Sequence, residues 1–144
     1  MTPDLSAATD LLVRYATALD AGDFDGVGAL FAEGELCAGD GPPFARGAEE
    51  VAAFYRATVQ LHDGSPRTKH LVSGVVVDGE EVRSAYQVLQ HVGDGPLQTI
   101  VAGRYLDELA PVPEGGWWFV RRRFFVDLVG DLSQHLVDPA IVGR

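Results

Sequence analysis

Positive charge is scarce in this chain. Lys69 is its only lysine, and 11 basic residues face 21 acidic ones over 144 positions, a formal charge of -10. Such a surface repels phosphate backbones and anionic lipid, so neither nucleic acid nor a membrane is expected as the main partner. Cysteine is scarcer still. Cys37 stands alone, which excludes an intrachain disulfide and a cysteine-rich metal site. The histidines, His62, His70, His91 and His135, show neither HxxxH nor HExxH spacing, so no metal is expected. No apolar run approaches the roughly 20 residues of a membrane helix. The opening MTPDLSAATD carries an acid and no apolar stretch, unlike a secretory leader, and a cytoplasmic protein is expected. Repeats, low-complexity tracts and interdomain linkers are missing too. With 47% hydrophobic residues in 144, one globular domain spanning 1–144 is expected.

What is there begins with an acidic corner, LLVRYATALDAGDFDGVGALF, from Leu11 to Phe31. Leu5, Ala8, Leu12, Tyr15 and Leu19 recur at helical spacing, so the first helix, from about Asp4 or Ser6 to Leu19, turns one stripe to a core. Asp20 closes it, Ala21-Gly22 turns the chain, and Asp23 is placed to cap a second helix from Phe24 to about Ala32. An acid at the edge of a core is disfavoured unless something partners it. Glu35 to Ala38 reads as a short strand, and the Gly39–Pro43 stretch, with two glycines and two prolines, as a loop. A third helix fits Ala48 to Leu61, with Val51, Phe54, Tyr55, Thr58 and His62 along one face.

From Arg67 onward the period changes to 2. Thr68–Val77, Val82–Val92, Leu97–Leu109 and Trp117–Leu128 read as four long strands, the first two joined by the hairpin signal Asp78-Gly79. Short connections imply an antiparallel meander, and helices followed by a meander imply an α+β domain. Strands this long accumulate twist, so a curved sheet under helices would enclose a hollow near Asp20.

Polar residues interrupt the apolar strand faces, as expected of a greasy pocket with a few placed polar groups. His70 shares a face with Val72, Gly74 and Val76. Ser84, Tyr86, Val88 and Gln90 form one face of the next strand, and in the third Thr99, Val101 and Gly103 alternate against Ile100, Ala102 and Arg104. His91 and His135 are expected to be exposed, and Arg121–Arg123 to be outward arginines stacked on aromatics or paired with acids. Trp118, Phe124 and Val126 suit a buried contact on the outer sheet face, and a homodimer through it is expected.

Two segments resemble a known family. Tyr15-Ala-Thr-Ala-Leu-Asp20 with Gly22-Asp23-Phe24-Asp25, and Arg67-Thr68-Lys69-His70, are similar to segments of scytalone and bile-acid dehydratases, SnoaL-like members of the nuclear transport factor 2-like superfamily. The resemblance implies a cone formed by a curved antiparallel sheet with three N-terminal helices packed over its concave face. It also implies catalytic roles at Asp20, His70 and Tyr15, and no cofactor. Glu81–Gln87 is similar to the next dehydratase strand, but Tyr86 stands where scytalone dehydratase has a second histidine. Val101 replaces an asparagine there, and Leu19 a tyrosine. Tyr55, Tyr86, Thr99 and Asp127 remain as candidate substrate-binding residues.

Two expectations follow. The first is a cofactor-free acid/base enzyme, most readily a dehydratase, acting on a small apolar cyclic molecule; an isomerase or a polyketide-type cyclase would use the same groups. The second is a binding or assembly module without chemistry. An enzyme requires Asp20 and His70 to meet at a closed pocket, whereas a binder allows the pocket to be filled or the two residues to point apart.

Overall fold

The computed structural model describes residues 2–142 and is α+β, with three helices and a six-stranded mixed sheet that does not close on itself. Helix α1 (Leu5–Asp20) starts where the Asp4 carboxylate accepts the Ala7 N–H at 2.7 Å, and it buries Ala8, Leu11, Leu12, Tyr15, Ala16 and Leu19. The corner after it depends on Gly22, whose φ of +73° suits glycine and whose missing Cβ would meet the Gly64 carbonyl oxygen at 2.8 Å. Asp23 caps α2 (Phe24–Ala29) by accepting the Gly26 N–H at 2.9 Å. Both caps are side-chain carboxylates satisfying helix N–H groups that lack a partner within the helix.

Strands β1 (Glu35–Ala38) and β2 (Pro43–Arg46) form a short antiparallel pair, so the proline-rich loop ends one residue earlier than expected. Helix α3 (Gly47–Thr58) stops three residues short of Leu61. The reason is tertiary. Val59 leaves the helix in an extended conformation and bridges Leu136, which also carries His62 beyond the helix into a turn closed against Ser65. The four long strands are β3 (Thr68–Asp78), β4 (Glu81–Gln90), β5 (Gln98–Pro111) and β6 (Trp117–Val129).

These four strands form the antiparallel meander, and the full sheet order is β2-β1-β6-β5-β4-β3. β1 joins β6 in parallel, which makes the sheet mixed. The register breaks between Ser73 and Val76 in β3, between Val88 and Leu89 in β4, and twice along β5–β6. Bulges bend strands and increase local twist, so these irregularities curve the sheet. They also reverse the alternation. Leu109 faces Phe119 while Glu108 faces Arg121, so Val120 is the extra residue, and Phe119 and Arg122 both turn inward. Beyond the bulge Phe124 and Val126 also face inward, toward the helices, and Trp118 faces away from its buried neighbour Phe119. The outer-face contact read from Trp118, Phe124 and Val126 therefore loses two of its three residues. No helix among the described residues is long and apolar enough to cross a membrane.

Candidate active site

The end of α1 meets the start of β3. His70 Nδ1 lies 2.5 Å from Asp20 Oδ1, the His70 backbone N–H donates to Asp20 Oδ2 at 2.8 Å, and the Thr68 hydroxyl donates to Oδ1 at 2.9 Å. β3 is a sheet edge, so an edge N–H that no strand could take is satisfied by this carboxylate. Burial works to raise the Asp20 carboxyl, but the His70 bonds and charge, with the Thr68 hydroxyl, outweigh it and hold it below the usual value. The partner that Asp20 required is therefore His70. With Nδ1 engaged by the acid, Nε2 is the ring nitrogen free for a ligand.

His70 lines a cavity of about 120 Å³ between α1, α3, the sheet and the C-terminal segment. An apolar cavity of ~150 Å³ accommodates benzene, so this one suits a single small ring. Its wall is mostly apolar, including Leu19, Phe54, Val88, Val101, Phe124, Val126 and Leu136. Its polar groups are few: Tyr15, Tyr55, Thr58, His70, Tyr86, Tyr105 and His135. The Tyr15 and Tyr55 hydroxyls hydrogen-bond each other. Burial pushes both phenols up, with Arg122 pulling against it at Tyr15. One hydroxyl proton is used between them, which leaves the other for a ligand oxygen. The Tyr86 hydroxyl donates to the Phe125 carbonyl at 3.1 Å, and burial raises its pKa.

Under this wall lies a charge pair whose arginine was expected on the outside. Arg122 is fully buried and donates twice to Asp107, from Nε at 2.8 Å and from Nη2 at 2.9 Å. Its guanidinium lies 3.4 Å from the Tyr105 ring centroid and 4.3 Å from that of Tyr15. Burial would favour loss of its proton, but Asp107 overrides that and holds Arg122 cationic. The expected stacking and acid pairing both occur, inside rather than outside. The bulge at Val120, which no local pattern announces, is the reason.

Of the candidate residues, Asp20, His70, Tyr15, Tyr55 and Tyr86 are brought together; Thr99 and Asp127 are not. Thr99 is exposed because Ile100 is the extra residue of the β4–β5 irregularity and takes the inward position. Asp127 is paired with Arg104 at 2.8 and 2.9 Å, outside the cavity. His91 is exposed as expected, whereas His135 is not. It is buried in the cavity wall, and burial together with the His70 charge lowers its pKa to about 4. The only sequence signal for it was Leu132 and Leu136, an apolar pair four residues apart around a histidine. Among the described residues no group of three or more His, Cys, Asp or Glu side chains is placed to hold a metal ion.

An open, bulged sheet wrapped by three helices around an apolar hollow defines a class, the cystatin-like or nuclear transport factor 2-like fold. Residues 2–123 match the SnoaL-like domain family, and the chain belongs to it. No curated protein matches the sequence. Among solved structures, a protein of unknown function with a cystatin-like fold from Nostoc punctiforme is 23% identical with a TM-score of 0.69, over 92% of this chain and 99% of that one. A candidate scytalone dehydratase from Novosphingobium aromaticivorans is 21% identical at a TM-score of 0.65, over 88% and 86%. A ketosteroid isomerase-like protein from Erwinia carotovora is 22% identical at a TM-score of 0.62, over 89% and 99%. At these identities the likeness is one of fold.

Proposed function

We propose that the cavity is an acid/base active site that moves a proton beside a carbonyl of a small cyclic substrate, with loss of water as its first reaction. The observation that carries this reading is the 2.5 Å contact between His70 Nδ1 and Asp20 in the wall of an apolar hollow. Nε2 takes a proton from the carbon next to the carbonyl. The C–H electron pair passes into the carbonyl as an enolate and then forms the new C=C bond as the β C–O bond breaks, and the same proton leaves with the hydroxyl as water. His70 ends as it began, and no external reagent is consumed. Asp20 fixes the tautomer and stabilises the transient imidazolium. The Tyr15–Tyr55 pair supplies a hydrogen bond to the enolate oxygen, where a mostly apolar wall makes such a bond count.

The resemblance of both dyad segments to dehydratases favours elimination over double-bond migration. An isomerase would use the same groups but return the proton to another carbon. A pure binding module would use the oriented imidazole only as a fixed donor or acceptor, without the imidazolium that the carboxylate can balance. The test is 3-hydroxycyclohexanone, a β-hydroxy ketone of suitable size, followed by the absorbance of the enone. Turnover by the native protein and loss of about 10²–10⁴-fold in H70A support the reading. Equal rates in both proteins would reject it.

A further inference from the structure

Besides His70, whose Nε2 is free, His135 is a strongly polar side chain of the cavity whose hydrogen-bonding capacity is not used up among the described residues. Its Nδ1 is buried with no partner among the described residues, and the residue is only 7% exposed. Buried polar atoms are normally satisfied, so an orphan on a cavity wall marks a place where a ligand atom belongs. The surrounding backbone does not need the ring. The His135 carbonyl accepts the Gln60 N–H at 2.8 Å, and its N–H donates to the Leu132 carbonyl at 3.0 Å. Gln60 Nε2 donates to the Ser133 and Leu136 carbonyls, and Gln90 Nε2 to that of Gln134, at 2.7 to 3.1 Å. Two glutamines thus hold the segment in place, and the imidazole is left free within it.

We infer that His135 is a substrate-binding residue that hydrogen-bonds a second oxygen of the ligand, so the site takes a ring carrying two oxygen substituents, one read by His70 and one by His135. This deepens the acid/base reading and rests on it. The two imidazoles sit in contrasting electrostatic settings. His70 has a carboxylate at its back and can carry the transferred proton. His135 has no such partner and stays neutral at physiological pH, its proton disfavoured by burial and by His70. A neutral imidazole presents one donor and one acceptor, so it accepts either a hydroxyl or a carbonyl without adding charge to the hollow. A ring with a single oxygen would leave the His135 imidazole without a ligand partner, and a site built to bond an oxygen discriminates against ligands lacking it.

The test uses toluene, phenol and the three dihydroxybenzenes as probes of the native protein, with binding measured by calorimetry and the His135 ring nitrogens followed by NMR. At least one dihydroxybenzene should bind about five-fold tighter than phenol, the worth of one net hydrogen bond, and should shift the His135 ring signals. In H135L that preference should vanish while phenol affinity stays within about two-fold; H135Q, which can still donate and accept, should keep most of it. H70N should weaken phenol relative to toluene without erasing the preference for the second hydroxyl. A preference that survives in H135L overturns the assignment of His135 and leaves the dyad reading standing. No binding of any probe, or no discrimination between phenol and toluene in the native protein, overturns both. Thermal melts of both His135 variants establish that they fold.

Discussion

Asp20 does two jobs, and they separate by mutation. Its Oδ2 holds an edge-strand N–H and its Oδ1 holds the imidazole. Asp20→Asn preserves the shape but can no longer balance an imidazolium, so turnover of 3-hydroxycyclohexanone should fall about 10²–10⁴-fold while the fold survives on circular dichroism. His135 makes a second residue-scale prediction. In the unfolded chain it takes up a proton below about pH 6.5, whereas in the folded protein, with His70, His62 and Asp20 around it, it does so only near about 4. Between those values the unfolded state binds more protons, so stability falls as pH drops through that window and is fully present above it. The contribution is up to about 3 kcal/mol. His135→Gln should flatten the dependence of Tm on pH between about 6.5 and 4; an unchanged slope would show that the native imidazole is not buried neutral. The dyad was legible because both halves sit in recognisable local patterns. His135 was not, because nothing in Gly130–Val137 shows that Val59 will pull this segment against the cavity.

Bulges decide what the strand patterns could not. Strict alternation put Arg122, Phe124 and Val126 on the outer face, and the extra residue at Val120 turns all three inward. Thr99 and Asp127 were misplaced through the same kind of irregularity. The helices were easier, since caps at Asp4 and Asp23 mark their starts and the apolar stripes their faces. Gly103 shows how tightly a bulge is built. A Cβ there would come within 1.8 Å of the Phe125 carbonyl oxygen and 2.8 Å of the Tyr86 hydroxyl. Gly103→Ala should therefore displace the β5–β6 crossing and lower Tm by about 5–10 °C, by a clash that strand propensity alone would not anticipate. A melting curve that matches the native one would show that the bulge can relax.

For the molecule as a whole, the buried Arg122–Asp107 pair and the cavity above it belong to one design. The ring of Tyr15 touches the guanidinium and its hydroxyl reaches Tyr55, so the charged floor is joined to the cavity wall by aromatic side chains. Removing one partner strands a charge, and Asp107→Asn should cost about 3–5 kcal/mol in urea denaturation, far more than a surface ion pair such as Arg56–Asp25. The α+β class, the element order and the dyad could be read from residue patterns and family resemblance. The parallel β1–β6 pairing and the charged floor could not, since both join residues more than eighty and about fifteen positions apart by contacts without a local signature. The claim on which the functional reading depends is that His70 moves a proton on a carbon beside a carbonyl. Solvent deuterium exchange into the α-positions of cyclohexanone, followed by NMR with the native protein and with H70A, measures that step whether elimination or isomerisation follows it. Exchange well above buffer is expected for the native protein, with a loss of about 10²-fold or more in H70A; exchange at the buffer rate, or equal exchange by both proteins, would contradict a proton-transfer role for His70.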